Sequence, residues 1–131
     1  MNVQSTTISL TVADVASSAA FFQGHLGYRQ QMAAEGFVSL ARDGTGVDVV
    51  LLQQGSEALP EGQRDQLASG LIIAYTVTDL DTELSRLNDE DVPITLPLQE
   101  EEWGERLFQV TDPSGVVIQF VEWSQGSGPP A

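Results

Sequence analysis

Cysteine and lysine are both missing from this sequence of 131 residues, and histidine occurs once, as His25. Without thiols there is no disulfide, no thiolate metal site and no cysteine nucleophile. A single histidine leaves a nucleophilic triad without an evident base. A Gly-rich phosphate loop, a Gly-x-Ser-x-Gly elbow and a His-Glu-x-x-His helix are absent as well. No apolar run approaches the roughly 18 residues that a membrane span needs. The N-terminus lacks the basic-then-apolar pattern of a leader, so cytoplasmic residence is expected. Positive charge is scarce: five arginines (Arg29, Arg42, Arg64, Arg86, Arg106) face nineteen acids, for a net charge of −14. Nucleic acid and anionic membrane are bound mainly through Lys and Arg neutralising phosphates, so neither is an expected partner. Long-range attraction favours cationic ligands, while the same charge also serves solubility. Residues 70–131 hold twelve of the nineteen acids against two arginines, so the second half carries most of the field.

What is present fits one folded domain. Hydrophobic content of 41% and charged content of 18% exclude a disordered chain, and the length suffices for a real core. Thr6 to Val12 alternate, with Ile8, Leu10 and Val12 on one face and Thr7, Ser9 and Thr11 on the other, which predicts a half-buried strand. Asp14 is placed to cap a helix carrying Val15, Ala19, Phe22 and Leu26, with Gly27 at its stop and Phe21 or Phe22 as core. Short β-type runs follow near Tyr28 to Ala33, Gly36 to Arg42 and Val47 to Gln53, the last two separated by Asp43-Gly44-Thr45-Gly46. Gln54 to Ser69 is polar and aperiodic and reads as a linker.

The pattern then starts again. Leu71 to Thr78 is strand-like, Asp79 stands as Asp14 did, and Leu80, Leu84 and Leu87 form a helical stripe. Strands near Ile94 to Leu98 and Leu107 to Val110 lead into Asp112-Pro113-Ser114-Gly115, a turn in which Pro113 presets one dihedral and Gly115 tolerates a positive one. Val116 to Val121 closes the chain as a β-branched run interrupted by one amide, Gln119. Val12-Ala13-Asp14-Val15 matches Val77-Thr78-Asp79-Leu80, so the halves read as a duplicated strand, helix, three strands. Residues 1–53 are predicted as the first βαβββ module, 54–69 as a linker and 70–123 as the second module. Residues 124–131 are predicted as a disordered tail.

LTVADVASSAAFFQGHLGY, VTDLDTELSRL and WGERLFQVTDPSGVVIQFVE, in this order and spacing, resemble the vicinal oxygen chelate superfamily. That superfamily includes glyoxalase I, extradiol dioxygenases, and the fosfomycin- and bleomycin-resistance proteins. The resemblance covers about residues 5 to 123. It implies an α+β fold of two βαβββ modules, whose eight strands form a curved mixed sheet around a cavity, and often a homodimer. In metal-using members four strand positions carry ligands. Here they fall on Thr7, on Val49 or Asp48, on Ile72 and on Gln119, where histidine or carboxylate is usual. A divalent metal wants imidazole or carboxylate in such a site, so no metal cofactor is expected and no catalytic residue is assigned. His25 lies off every ligand position and reads as a solvated residue.

Alternation puts Val117, Gln119, Val121 and Trp123 on one face of the last strand. Gln119 on that face can donate and accept hydrogen bonds, to a ligand or to a polar neighbour. Trp103 beside Glu100 to Glu102, with Phe37, Phe108 and Trp123, supplies rings for an aromatic or cationic ligand. The expected ligand-binding set is thus Thr7, Phe37, Asp48, Ile72, Trp103, Phe108, Gln119 and Trp123. The resemblance implies a metal-free binding protein that sequesters a small cationic, partly aromatic antibiotic or metabolite. The alternatives are a lyase, isomerase or dioxygenase with a shifted metal site, drawing on Asp48, Gln119 and an acid such as Glu122, and a regulatory protein with a vestigial cavity.

Overall fold

Asp14 and Asp79 each open a helix, as their short acceptor side chains favour. Asp14 Oδ1 accepts from Ala16 N at 3.0 Å and from Ser17 N at 3.3 Å, and Asp79 Oδ1 accepts from Thr82 N at 3.1 Å. The computed structural model describes residues 1–44 and 47–124. Residues 125–131, most of the predicted tail, and the second half of the Asp43–Gly46 turn lie outside the described residues. Ser124, counted with that tail, is fastened instead, its N–H donating to Gly104 O at 2.9 Å.

The described elements run β1 (Thr7–Val12), α1 (Val15–His25), β2 (Arg29–Ala34), β3 (Phe37–Ala41), β4 (Asp48–Gln53), a short 3-10 turn (Glu61–Gln63), β5 (Ile72–Thr76), α2 (Leu80–Asp89), β6 (Ile94–Glu100), β7 (Glu105–Thr111) and β8 (Val117–Trp123). The eight strands divide into two four-stranded mixed sheets of like topology, β1-β4-β3-β2 and β5-β8-β7-β6. Each is a βαβββ module with its first and last strands parallel. One compact unit comprises Met1–Ser69 with Asp112–Gly115, and the other comprises Gly70–Thr111 and the chain from Val116 onward.

In the first unit Leu10, Val12, Val38, Leu40, Val49 and Leu51 alternate inward and are buried. So are Val15, Ala19, Phe22 and Leu26 of the helical segment that packs on β3 and β4. Gly27 takes φ 77° and ends the helix, and Arg42 Nε lies close enough over it to donate to Leu26 O at 3.0 Å. Residues 54–69 are an ordered strap rather than a bare linker: Leu59 is buried and Ala68 N–H donates to Thr11 O at 2.8 Å, along the free edge of β1. The DPSG turn closes as expected, with Gly115 N–H on Asp112 O at 2.9 Å, Ser114 N–H on Asp112 Oδ1 at 2.9 Å and Gly115 at φ 91°.

In the second unit Phe108, Val110, Ile118 and Phe120 face Leu80 and Leu87 of α2, and all are buried. The modules share one further device. Gln53 Oε1, at the end of β4, accepts from Val15 N at 3.2 Å, and Glu122 Oε1, in the matching place on β8, accepts from Leu80 N at 2.8 Å. Each closing strand thereby satisfies a backbone N–H in the first turn of its own module's helix, a group no intrahelical bond can serve.

Candidate ligand-binding site

The helices cover one face of each sheet, so the chemistry-bearing side chains have to be sought on the other. On the first sheet Thr7 pairs with Asp48, Ser9 with Val50 and Thr11 with Leu52, while Phe37 and Ser39 pair across to Leu52 and Val50. These residues alternate away from the buried Leu10, Val49 and Leu51. Thr7, Phe37 and Asp48 therefore share the face away from the helix, Thr7 exposed and the other two half-buried. Gln31, at the bulge between Gln30 and Met32, donates through Nε2 to Asp48 Oδ2 at 3.3 Å and to Ser39 Oγ at 3.4 Å.

On the second sheet Ala74 pairs with Gln119, Gln119 with Gln109, and Trp123 with Glu105. Ile72, 52% exposed, precedes Ala74 by two on the same face. Gln109 Nε2 donates to Gln119 Oε1 at 2.8 Å. At the Trp123 end stands the β6–β7 turn, tied by Glu101 N–H to Glu105 O at 2.7 Å and Gly104 N–H to Glu101 O at 3.0 Å. Trp103 rides on that turn, 61% exposed, and its indole N–H donates to Glu105 Oε1 at 3.1 Å. Ile72, Gln119, Trp123 and Trp103 are thus gathered on or beside one face.

Phe108 is not. Its partner across the hairpin is Phe120, and it stacks on that ring at 5.1 Å and 12°, fully buried on the helix side. Period-2 alternation from Gln109 requires this placement. Phe108 belongs to the core, not to a ligand surface. His25 also differs from expectation: it ends α1 half-buried, edge-on to Phe21 at 5.1 Å.

The two copies settle the register left open on β4. Ser9 and Ala74 occupy matching places before Asp14 and Asp79, and they pair with Val50 and Gln119 respectively. The counterpart of Gln119 is therefore Val50. Val49 points into the core at 1% exposure, and Asp48 is one place further out on the open face. The four positions then hold a hydroxyl, two aliphatic side chains and an amide whose oxygen already accepts a hydrogen bond. Among the described residues no group of three or more His, Cys, Asp or Glu could hold a metal ion. These residues do not fit the divalent ion that metal-using members of the resembled superfamily hold. Glu122 does not supply the missing carboxylate, because its oxygens serve Leu80 N and Arg106 Nη1, the latter at 3.2 Å.

Both arginines of the second unit are engaged by acids. Arg106 lies between Glu122 and Asp81, and Arg86 between Glu83 at 2.9 Å and Glu90 at 3.1 Å. A surface depression of about 500 Å³ on α2, lined by Thr82, Ser85, Arg86, Asp89 and Glu90, includes the engaged Arg86 and none of the expected site residues. Among the described residues the acids of the Trp103 turn have no arginine as a hydrogen-bond partner. The cap bonds from Ser17 and Thr82 hold the Asp14 and Asp79 carboxyls below their ordinary value, away from the candidate faces. Gln109 and Glu105 were not anticipated as site residues. The hairpin signalled both, since closing a ladder around the DPSG turn with Thr111 opposite Val117 also sets 109 against 119 and 105 against 123.

A family model described as Glyoxalase/Bleomycin resistance protein/Dioxygenase superfamily matches residues 4–120. No curated protein matches the chain. A solved glyoxalase/bleomycin resistance protein/dioxygenase from Nocardioides is similar over 100% of this chain and 90% of its own, at 20% identity and a TM-score of 0.77. Lactoylglutathione lyase from Agrobacterium tumefaciens is similar over 92% of this chain and 94% of its own, at 16% identity and a TM-score of 0.71. TioX from Micromonospora sp. ML1 is similar over 92% and 99%, at 21% identity and a TM-score of 0.70. At such identities the shared property is the fold.

Proposed function

Because the chain belongs to the glyoxalase/bleomycin resistance protein/dioxygenase superfamily, we propose that it is a metal-independent binding protein for a small cationic, partly aromatic molecule. An antibiotic or a metabolite of that kind is held without being turned over, by a cytoplasmic homodimer. The observation that carries this reading is the donor set at the family's ligand positions: Thr7, Val50, Ile72 and a Gln119 already bonded through its oxygen. What replaces metal chemistry is a rim of Trp103, Glu105 and Trp123 on an acidic chain, where ring faces and a carboxylate favour a cation together.

The test is a titration of protein stripped with a chelator, using acridine orange as a cationic aromatic probe and the fluorescence of Trp103 and Trp123 as signal. Saturable quenching is expected that survives the chelator, weakens with salt and falls at least fivefold in affinity in Trp103→Ala. Flat titrations, or binding that appears only after a divalent metal is added, would overturn the proposal.

A further inference from the structure

Gln109 and Gln119 stand opposite each other on the second sheet's face away from α2, both half-buried, joined by the single bond from Gln109 Nε2 to Gln119 Oε1 at 2.8 Å. Each primary amide carries two N–H donors and a carbonyl with two lone pairs, so one shared bond leaves both donors and acceptors over. No other side chain or backbone group among the described residues is bonded to either amide. Exchanging N and O on both amides, the ambiguity that amide assignment always carries, reverses the bond but leaves the pair with the same spare donors and acceptors. Neither amide has a buried atom left without a partner, so the spare donors and acceptors are open to solvent and can be met by a ligand.

We propose that the Gln109–Gln119 pair is a specificity element that reads the cis-amide edge of a planar, uncharged ring, such as a lactam or cyclic imide. This rests on the binding reading above and names the chemistry that the site selects. A spare N–H takes the ring carbonyl and a spare amide carbonyl takes the ring N–H, giving a matched two-bond contact. Ile72, Ala74, Val117 and Thr111 lie on the same face around the pair and offer a short-chain floor for a flat ring. A carboxylate ligand is disfavoured by the net charge of −14 and by Glu105 on the same face. A metal is disfavoured because the pair offers only neutral amide oxygens where a divalent ion wants imidazole or carboxylate. Along β8, Gln119 and Trp123 are about 13 Å apart, four residues at roughly 3.3 Å each, so an amide-edged ring system with a cationic arm could touch the pair and the rim at once.

The probes are 2-quinolone, N-methyl-2-quinolone, which keeps the carbonyl and loses the donor, and quinoline, which has no amide. Binding is read from side-chain amide signals in nitrogen–proton correlation spectra. The expected result is at least a tenfold preference for 2-quinolone over both analogues, with shifts of the Gln109 and Gln119 amide signals. In Gln119→Leu and Gln109→Leu, each first shown to be folded by its backbone spectrum, the three probes bind equally. Gln119→Asn, which keeps the amide but retracts it, retains the order of preference at reduced magnitude. Equal binding of the three probes to the wild-type chain, or a preference that survives either leucine variant, would overturn the proposal. Acridine orange binding without any quinolone preference would overturn it while leaving the proposed function standing. A quinolone preference without acridine orange binding would support the amide pair and sink the cationic reading.

Discussion

Replacing Phe108 separates a core residue from a ligand contact, which is the point where sequence expectation and structure part. Its side chain is fully buried, parallel to Phe120 at 5.1 Å, and Phe120 in turn lies 6.1 Å from Tyr75. Truncation to alanine removes that packing and leaves a cavity, at about 3–5 kcal/mol, against a total stability of roughly 5–15 kcal/mol for a domain. Such a loss could unfold the chain, so the sharper variant is Phe108→Leu. It keeps most of the volume and loses the ring pair, about 0.5–1.5 kcal/mol, plus a small packing defect, for a total of about 1–2 kcal/mol. Urea unfolding followed by far-ultraviolet circular dichroism should show the midpoint falling with an unchanged slope, the signature of lost stability alone. Acridine orange affinity of the folded variant should stay within about twofold of wild type, well under the tenfold that 1.4 kcal/mol represents. An unmoved midpoint together with a large affinity loss would refute the placement of Phe108 in the core.

Three further outcomes follow from particular contacts. Glu122→Ala removes both the acceptor for Leu80 N and a partner of Arg106 and should cost about 1–3 kcal/mol, with Glu122→Gln, which keeps the acceptor, costing about half as much in the same urea assay. Asp91 adopts φ 61° just after α2, a conformation that glycine takes freely, so Asp91→Gly should raise the unfolding midpoint by the equivalent of about 0.5–1 kcal/mol. Asp14 and Asp79 have carboxyl groups depressed in the folded state, first by the hydroxyl bonds from Ser17 and Thr82. Their contribution is therefore complete above the unfolded value of 3.8 and lost as pH falls through the lower folded values. Asn at both positions keeps the caps without titrating, so its acid unfolding curve should be flatter below pH 3.8 than that of the wild type.

Local signals carried the module pattern well. Asp14 and Asp79 cap because the residue type and the following apolar periodicity demand it, and the repeat of Val12-Ala13-Asp14 in Val77-Thr78-Asp79 announced two modules. The Gln53 and Glu122 bonds to the helix starts were not legible, because each joins groups some 40 residues apart that only the sheet brings together. On β4 the expected position, Val49 or Asp48, depended on a strand register, and a one-residue slip moves every side chain to the other face; the pairing of Ser9 with Val50 puts Val50, neither of the two, opposite the place that Gln119 takes in the second module. Phe108 was misplaced for a different reason: aromatic type was weighed above the alternation that places it opposite Phe120. The strap of residues 54–69 looked featureless because its order comes from one buried leucine and backbone bonds to β1, not from periodicity.

The central claim, that the family's metal positions no longer offer a metal site, is tested most directly by calorimetric titration of zinc, nickel and manganese chlorides into chelator-stripped protein. The account predicts weak, non-saturating heats no different between wild type and Gln119→Leu. A saturable one-to-one isotherm in the micromolar range or tighter, lost in Gln119→Leu, would contradict it.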